Sequence, residues 1–161
     1  MSAGNYLLVR FDDRSKLAPA AKAIDEIKAV SHWNAVEGYY SFVVQTNDDT
    51  TADTIEKLDG FTELARCQTL SKGAEKKIDP ENVGCYVFAE IDDGKTDDVC
   101  KTLGANQQVA HCVSCKGDYQ LVAVVAGENF DDVDLVVEAN IRQLDGVLRM
   151  KQGRIIYLDR M

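Results

Sequence analysis

Apolar residues in this chain change their spacing in a regular order, and the order occurs twice. Tyr6 to Phe11 is a short apolar run, followed by turn and helix-start chemistry at Asp12-Asp13-Arg14-Ser15. Leu17, Ala20, Ile24 and Ile27 then recur at spacings of three and four, which predicts one face of a helix. A second strand is expected over His32 to Val36, a tight turn at Glu37-Gly38, and a third strand over Tyr39 to Gln45. Ala52, Ile55 and Leu58 mark a short helix ended by Gly60, and Phe61 to Leu70 reads as a fourth strand. The second half predicts a strand over Tyr86 to Ile91 and a helix bearing Val99 and Leu103. Strands follow over His111 to Cys115 and Tyr119 to Val125, joined by a turn at Lys116-Gly117-Asp118. Its last helix carries Phe130, Val133, Val137, Ile141 and Leu144, with Asn129 to cap it and Gly146 to end it, before a final strand over Val147 to Leu158.

The order β-α-β-β-α-β therefore occurs twice, which predicts an α+β protein of two tandem ferredoxin-like units. Matching landmarks support duplication: Gly4-Asn5-Tyr6 returns as Gly84-Cys85-Tyr86, His32 and Gly38 as His111 and Gly117, and Leu58-Asp59-Gly60-Phe61 as Leu144-Asp145-Gly146-Val147. The first unit is expected over residues 1–70, a polar linker with Gly73 and Pro80 over 71–83, and the second unit over 84–161. Leu7-Leu8-Val9, Tyr86-Val87-Phe88-Ala89 and Leu121 to Val125 are apolar without alternation, so both faces of each sheet should be covered. The natural cover is the other unit's sheet, giving a pseudo-dimer packed sheet to sheet like a dimeric α/β-barrel.

Charge narrows the function classes. A formal net charge of -9 on 161 residues, without a concentrated basic face, disfavours direct nucleic-acid binding and an anionic membrane surface. The N-terminus lacks a basic start followed by a long apolar stretch, and the five scattered cysteines read as reduced thiols, so a cytoplasmic protein is expected. No Ser-His-Asp order, His-Glu-x-x-His pair or phosphate-binding glycine loop gives hydrolytic or nucleotide chemistry positive support, and no cofactor is implied. Cys112 and Cys115 have the spacing of a metal pair, but on a strand residues three apart point to opposite faces, so packing is expected and no metal site. The matched His32 and His111 are read as strand-end residues bonding nearby backbone, and Trp33, Tyr39 and Tyr40 first as packing residues.

In the second half, Val109, Cys112, Gly117-Asp118-Tyr119, Leu121-Val122, the helix from Asn129 and Leu144-Asp145-Gly146-Val147 together resemble the effector-binding domain of Lrp/AsnC transcription regulators. The resemblance covers roughly 84 to 158; the first half follows more loosely, with Tyr39 where the hairpin aspartate would be, and Gln120 replaces a second aspartate found in many members. It implies a ferredoxin-like domain that pairs through its sheets and binds an amino acid near the hairpin and last strand. A helix-turn-helix normally precedes that domain, and residues 1 to 5 leave no room for one, so a sensor or assembly module is expected. The candidate ligand-binding residues are Gly117, Asp118 and Tyr119 at the hairpin, and Arg149, Lys151, Gln152 and Arg154 on the last strand. A carboxylate beside a glycine turn suits an ammonium group, and the basic residues suit a ligand carboxylate. The expected function is a non-enzymatic regulatory module for a small molecule, an amino acid first. The alternatives are an interaction module for full-length Lrp/AsnC regulators and an enzyme of the dimeric α/β-barrel kind; beside the small molecule, the expected partner is a further copy of the chain in a homo-oligomer or such a regulator.

Overall fold

In the computed structural model, which describes residues 4–156, both halves fold as β-α-β-β-α-β. The first contains β1 (Asn5–Phe11), α1 (Leu17–Asp25), β2 (Val30–Gly38), β3 (Phe42–Thr46), α2 (Thr50–Glu56) and β4 (Phe61–Glu75). The second contains β5 (Val83–Ile91), α3 (Thr96–Gly104), β6 (Val109–Gly117), β7 (Leu121–Gly127), α4 (Phe130–Val136) and β8 (Val147–Ile156). Asp13 accepts a hydrogen bond from the Ser15 amide at 2.9 Å and starts a 3-10 turn leading into α1. Asn129 does the same for α4, accepting from the Asp132 amide at 2.8 Å. Gly60 and Gly146 take φ of +88° and +100° at the matching ends of the second helix in each repeat.

The eight strands close into one antiparallel barrel in the order β1-β3-β2-β8-β5-β7-β6-β4. Each repeat contributes four neighbouring strands, and two seams join them. At one seam Gly38 of β2 faces Gly153 of β8. At the other Cys67 of β4 faces Gly117 of β6. The second strand of each repeat thus pairs with the last strand of the other, so a pseudo-twofold axis runs along the barrel.

Alternate residues of the apolar strands serve two cores. Leu7, Val9 and Phe11 of β1 pack under the first repeat's helices, while Cys85, Val87, Ala89 and Ile91 of β5 pack under the second's. Leu8, Tyr86, Phe88, Val122 and Val124 turn the other way and fill the barrel with residues from both repeats. The unbroken apolar runs are strands buried on both faces. Cys112 lies in a helix-side core and Cys115 inside the barrel, as alternation on β6 requires.

Several boundaries differ from the sequence reading; Glu37-Gly38 and Lys116-Gly117, expected as turns, are the last residues of β2 and β6, and the turns follow them. Residues 71–75 of the expected linker extend β4 and pair with β6, with irregular register after Thr69 and Lys72. The strands after both hairpins start later than expected, at Phe42 and Leu121, because Tyr40 and Tyr119 leave strand geometry to turn into the barrel. The helix from Phe130 continues as a π-turn over Val137–Ile141, with the Arg142 amide reaching the Val137 carbonyl at 2.9 Å, and Val137 and Ile141 are both buried. The expected ends at 1 and 161, and Tyr157 and Leu158 of the last strand, lie outside the described residues. Among the described residues no helix is long and apolar enough to cross a membrane.

Candidate functional site

The two β-hairpins meet at one mouth of the barrel. Residues 39–41 and 118–120 make their tips, each closed by the same backbone bond: Val36 N–H to Ser41 O at 2.9 Å, and Cys115 N–H to Gln120 O at 2.8 Å. The equivalent tyrosines, Tyr40 and Tyr119, are 79 residues apart in sequence and share a hydroxyl-to-hydroxyl hydrogen bond of 2.9 Å. Their rings meet edge to face, with centroids 6.2 Å apart, above Phe88. This pair closes the barrel interior at that end.

Outside the tyrosine pair lies a cleft of about 610 Å³, walled by the hairpins, the start of β4, the start of β8 and Glu90. Charges of both signs line it: Arg142, Arg149 and Lys151 against Glu63, Glu90 and Asp118. Several are already engaged. Lys151 Nζ sits 3.3 Å from the centre of the Tyr39 ring, Arg10 stacks on the same ring at 4.3 Å, and Arg142 pairs with Glu138 at 3.0 Å. Interaction of its hydroxyl with Glu63 holds the Tyr39 pKa above the usual value. Arg149 and Glu90 face each other in register across β8 and β5, and among the described residues neither has an ion-pair partner.

Of the residues singled out in the sequence, Asp118, Tyr119, Arg149 and Lys151 share this cleft. Asp118 also clasps the other repeat: its Oδ2 accepts the Arg66 amide at 2.8 Å and its own amide donates to the Arg66 carbonyl at 3.0 Å. Gly117 lies in the seam instead, with φ of +132° and the Arg66 carbonyl against its α-carbon, where a side chain would overlap that oxygen. Gln152 and Arg154 fall on the opposite face of β8 by strand alternation. Arg154 is bound there to Asp134 at 3.0 Å and covers the Phe130 ring at 4.7 Å, both on α4. Gln120 is used internally, accepting the Ile91 amide at 2.9 Å and donating to the Gly117 carbonyl at 3.2 Å.

Glu63, Glu90 and Arg142 were not legible as site residues, because strand pairing and a helix end bring them in from three elements. The Tyr40–Tyr119 pair did leave a signal: each stands two residues after the matched hairpin glycine. Trp33 is packing, donating to Asp25 at 2.9 Å and lying against Phe42. His32 bonds a side chain, Asn34, at 3.0 Å rather than backbone.

Burial raises the pKa of Tyr6 to about 12 and also raises those of Tyr40, Tyr86 and Tyr119, from an ordinary value of 10.0. A folded-state pKa above the unfolded one gives stability that is complete below pH 10 and lost as pH rises through the folded values. Burial likewise raises the Cys85 thiol from 9.0 to about 11, so the denaturant midpoint should begin to fall near about pH 9 and fall more steeply from about pH 10 upward; a flat profile to pH 12 would contradict the buried hydroxyls.

A family profile described as the Lrp/AsnC ligand binding domain matches residues 84–152. No curated protein matches the chain. Among solved structures, the crystal structure of FFRP-DM1 is 22% identical over 46% of this chain and 99% of its own, with a TM-score of 0.45. The siroheme decarboxylase NirDL aligns over 96% of this chain and 71% of its own at a TM-score of 0.77 and 9% identity. Chlorite dismutase from Candidatus Nitrospira defluvii, as an R173A mutant, aligns over 98% and 92% at 0.62 and 9%. At those identities the last two establish the whole-chain fold and nothing of chemistry. The second half of the chain thus matches the profile of the Lrp/AsnC ligand binding domain, and it is joined in tandem to a first half of the same ferredoxin-like fold.

Proposed function

We propose that the hairpin cleft binds a small zwitterion, an amino acid first among that class, and that the chain acts as a regulatory module that holds this ligand without converting it. One observation carries the reading: Arg149 and Glu90, opposite in charge and paired in register, line a cleft floored by tyrosines where the two repeats meet. Arg149 would take the ligand carboxylate, Glu90 and the second oxygen of Asp118 its ammonium group, and Tyr39 and Tyr40 its side chain. Because both repeats contribute, occupancy would favour the conformation or assembly in which the hairpins are held together.

Calorimetry with the common amino acids tests this directly. At least one should bind, and Arg149→Ala should weaken it about ten- to a hundredfold, the loss of one charge-assisted contact. The corresponding decarboxylated amine should bind weakly and be insensitive to Arg149→Ala, and the amino acid should be recovered unchanged. Failure of every amino acid to bind or raise the melting temperature at about 10 mM would sink the proposal.

A further inference from the structure

The opposite mouth of the barrel also opens into a cavity, of about 910 Å³ and different character. We propose that it is a second binding site, for an uncharged planar aromatic molecule whose edge carries hydrogen-bond donors and acceptors. The floor is apolar and flat: Tyr86, 4% exposed, stacks on Phe88 at 5.8 Å with 10° between the rings, and Val122, Val124 and Ile155 continue it. A volume of this order accommodates a small organic ligand, and an aromatic face offers it stacking.

The walls carry hydrogen-bonding groups that the protein leaves unused. Asn34 Oδ1 receives the Tyr86 hydroxyl at 2.8 Å and lies 3.0 Å from His32 Nε2, which occupies its carbonyl and leaves its amide N–H groups. Among the described residues, the Tyr6 hydroxyl and the His111 imidazole have no hydrogen-bond partner. His32 and His111, matched in the two repeats, thus meet in one opening. Polar groups at an apolar floor set orientation once a ligand supplies the complementary edge.

Charge selects the class. Among the described residues neither lysine nor arginine lines this cavity, and its carboxylates, Glu75 and Asp79, are exposed at the rim. An anion would enter without a counter-charge in a chain of net charge -9, and a cation would leave the rim carboxylates behind on reaching the floor. The hairpin cleft, with three cations and three carboxylates, is selective in the opposite sense. The segment between the repeats completes the site: Ile78 packs on the barrel core, and a turn held by Asn82 N–H to Asp79 O at 2.9 Å follows it across the opening. A single repeat would lack this wall, so the site belongs to the tandem chain.

The test uses the full chain with Nile red, an uncharged planar heteroaromatic dye, and competition by indole, adenine and indole-3-acetate. Dye emission should shift to the blue and saturate. Indole or adenine should displace the dye, and indole-3-acetate should do so at least about tenfold less well, reflecting the unpaired carboxylate. Tyr6→Phe, which keeps the ring, and Asn34→Ala should each weaken the displacing ligand about fivefold, one neutral hydrogen bond's worth, while Arg149→Ala leaves it unchanged. Equal displacement by indole-3-acetate, absence of any binding, or unaltered affinity in both Tyr6→Phe and Asn34→Ala would overturn the proposal. The Arg149→Ala control separates this outcome from failure of the hairpin-cleft reading.

Discussion

Valine at position 117 should destabilise the protein by about 3 kcal/mol or more and lower its melting temperature by about 6–12 °C. Gly117 closes the seam between β4 and β6 with φ of +132°, and any β-carbon there would overlap the Arg66 carbonyl of the other repeat. Both the backbone strain and the overlap fall on main chain, which cannot swing aside as a long side chain would. Gly38, its counterpart in the β2–β8 seam, meets the Gln152 carbonyl in the same way but without a positive φ, so Gly38→Val isolates the overlap. Gly94, with φ of +82° and nothing within 4 Å of its missing β-carbon, isolates the strain; Gly94→Ala should cost only about 1 kcal/mol. If Gly117→Val and Gly38→Val both melt with Gly94→Ala in calorimetry, the seams are looser than described.

The second large effect belongs to the tyrosine pair. Tyr40 and Tyr119 are 5% and 6% exposed, and each hydroxyl has the other as its partner at 2.9 Å. Tyr40→Phe or Tyr119→Phe alone strands the remaining hydroxyl in the barrel and should cost about 1–3 kcal/mol. Replacing both removes donor and acceptor together, so the double variant should lose less than the sum of the singles, with a coupling of about 1 kcal/mol. Chemical denaturation of the four proteins measures it. Additive losses would mean that the two hydroxyls find separate partners and that the hairpins do not meet.

Much of the architecture is legible in the sequence. The repeated apolar spacing, the capping Asp13 and Asn129, and the terminating Gly60 and Gly146 are local chemistry, and local chemistry survives tertiary context. The runs over Leu7 to Val9 and Tyr86 to Ala89 went further, since apolar residues on both faces of a strand require a cover on each. Beyond the local reach the sequence misled or was silent. The expected linker from Ser71 could not show that β4 finds a partner in β6, and the helix from Phe130 gave no sign of its π-turn. The candidate site was half legible. Asp118, Tyr119, Arg149 and Lys151 meet in the cleft, whereas Gln152 and Arg154 share a strand with the last two but face away, and Glu63, Glu90 and Arg142 arrive from elsewhere.

By itself, the order of residues determined that this chain is built from one β-α-β-β-α-β unit used twice, with β1, β5 and β7 buried on both faces, because period and burial are written into neighbouring side chains. Only the tertiary structure decided that the two sheets join edge to edge through Gly38 and Gly117 into a closed barrel with two unlike mouths, one lined by charges of both signs and one with an apolar floor and carboxylates at its rim. The physical reason is that a seam is a contact between residues far apart in the chain, where backbone fit rather than side-chain pattern selects the partner.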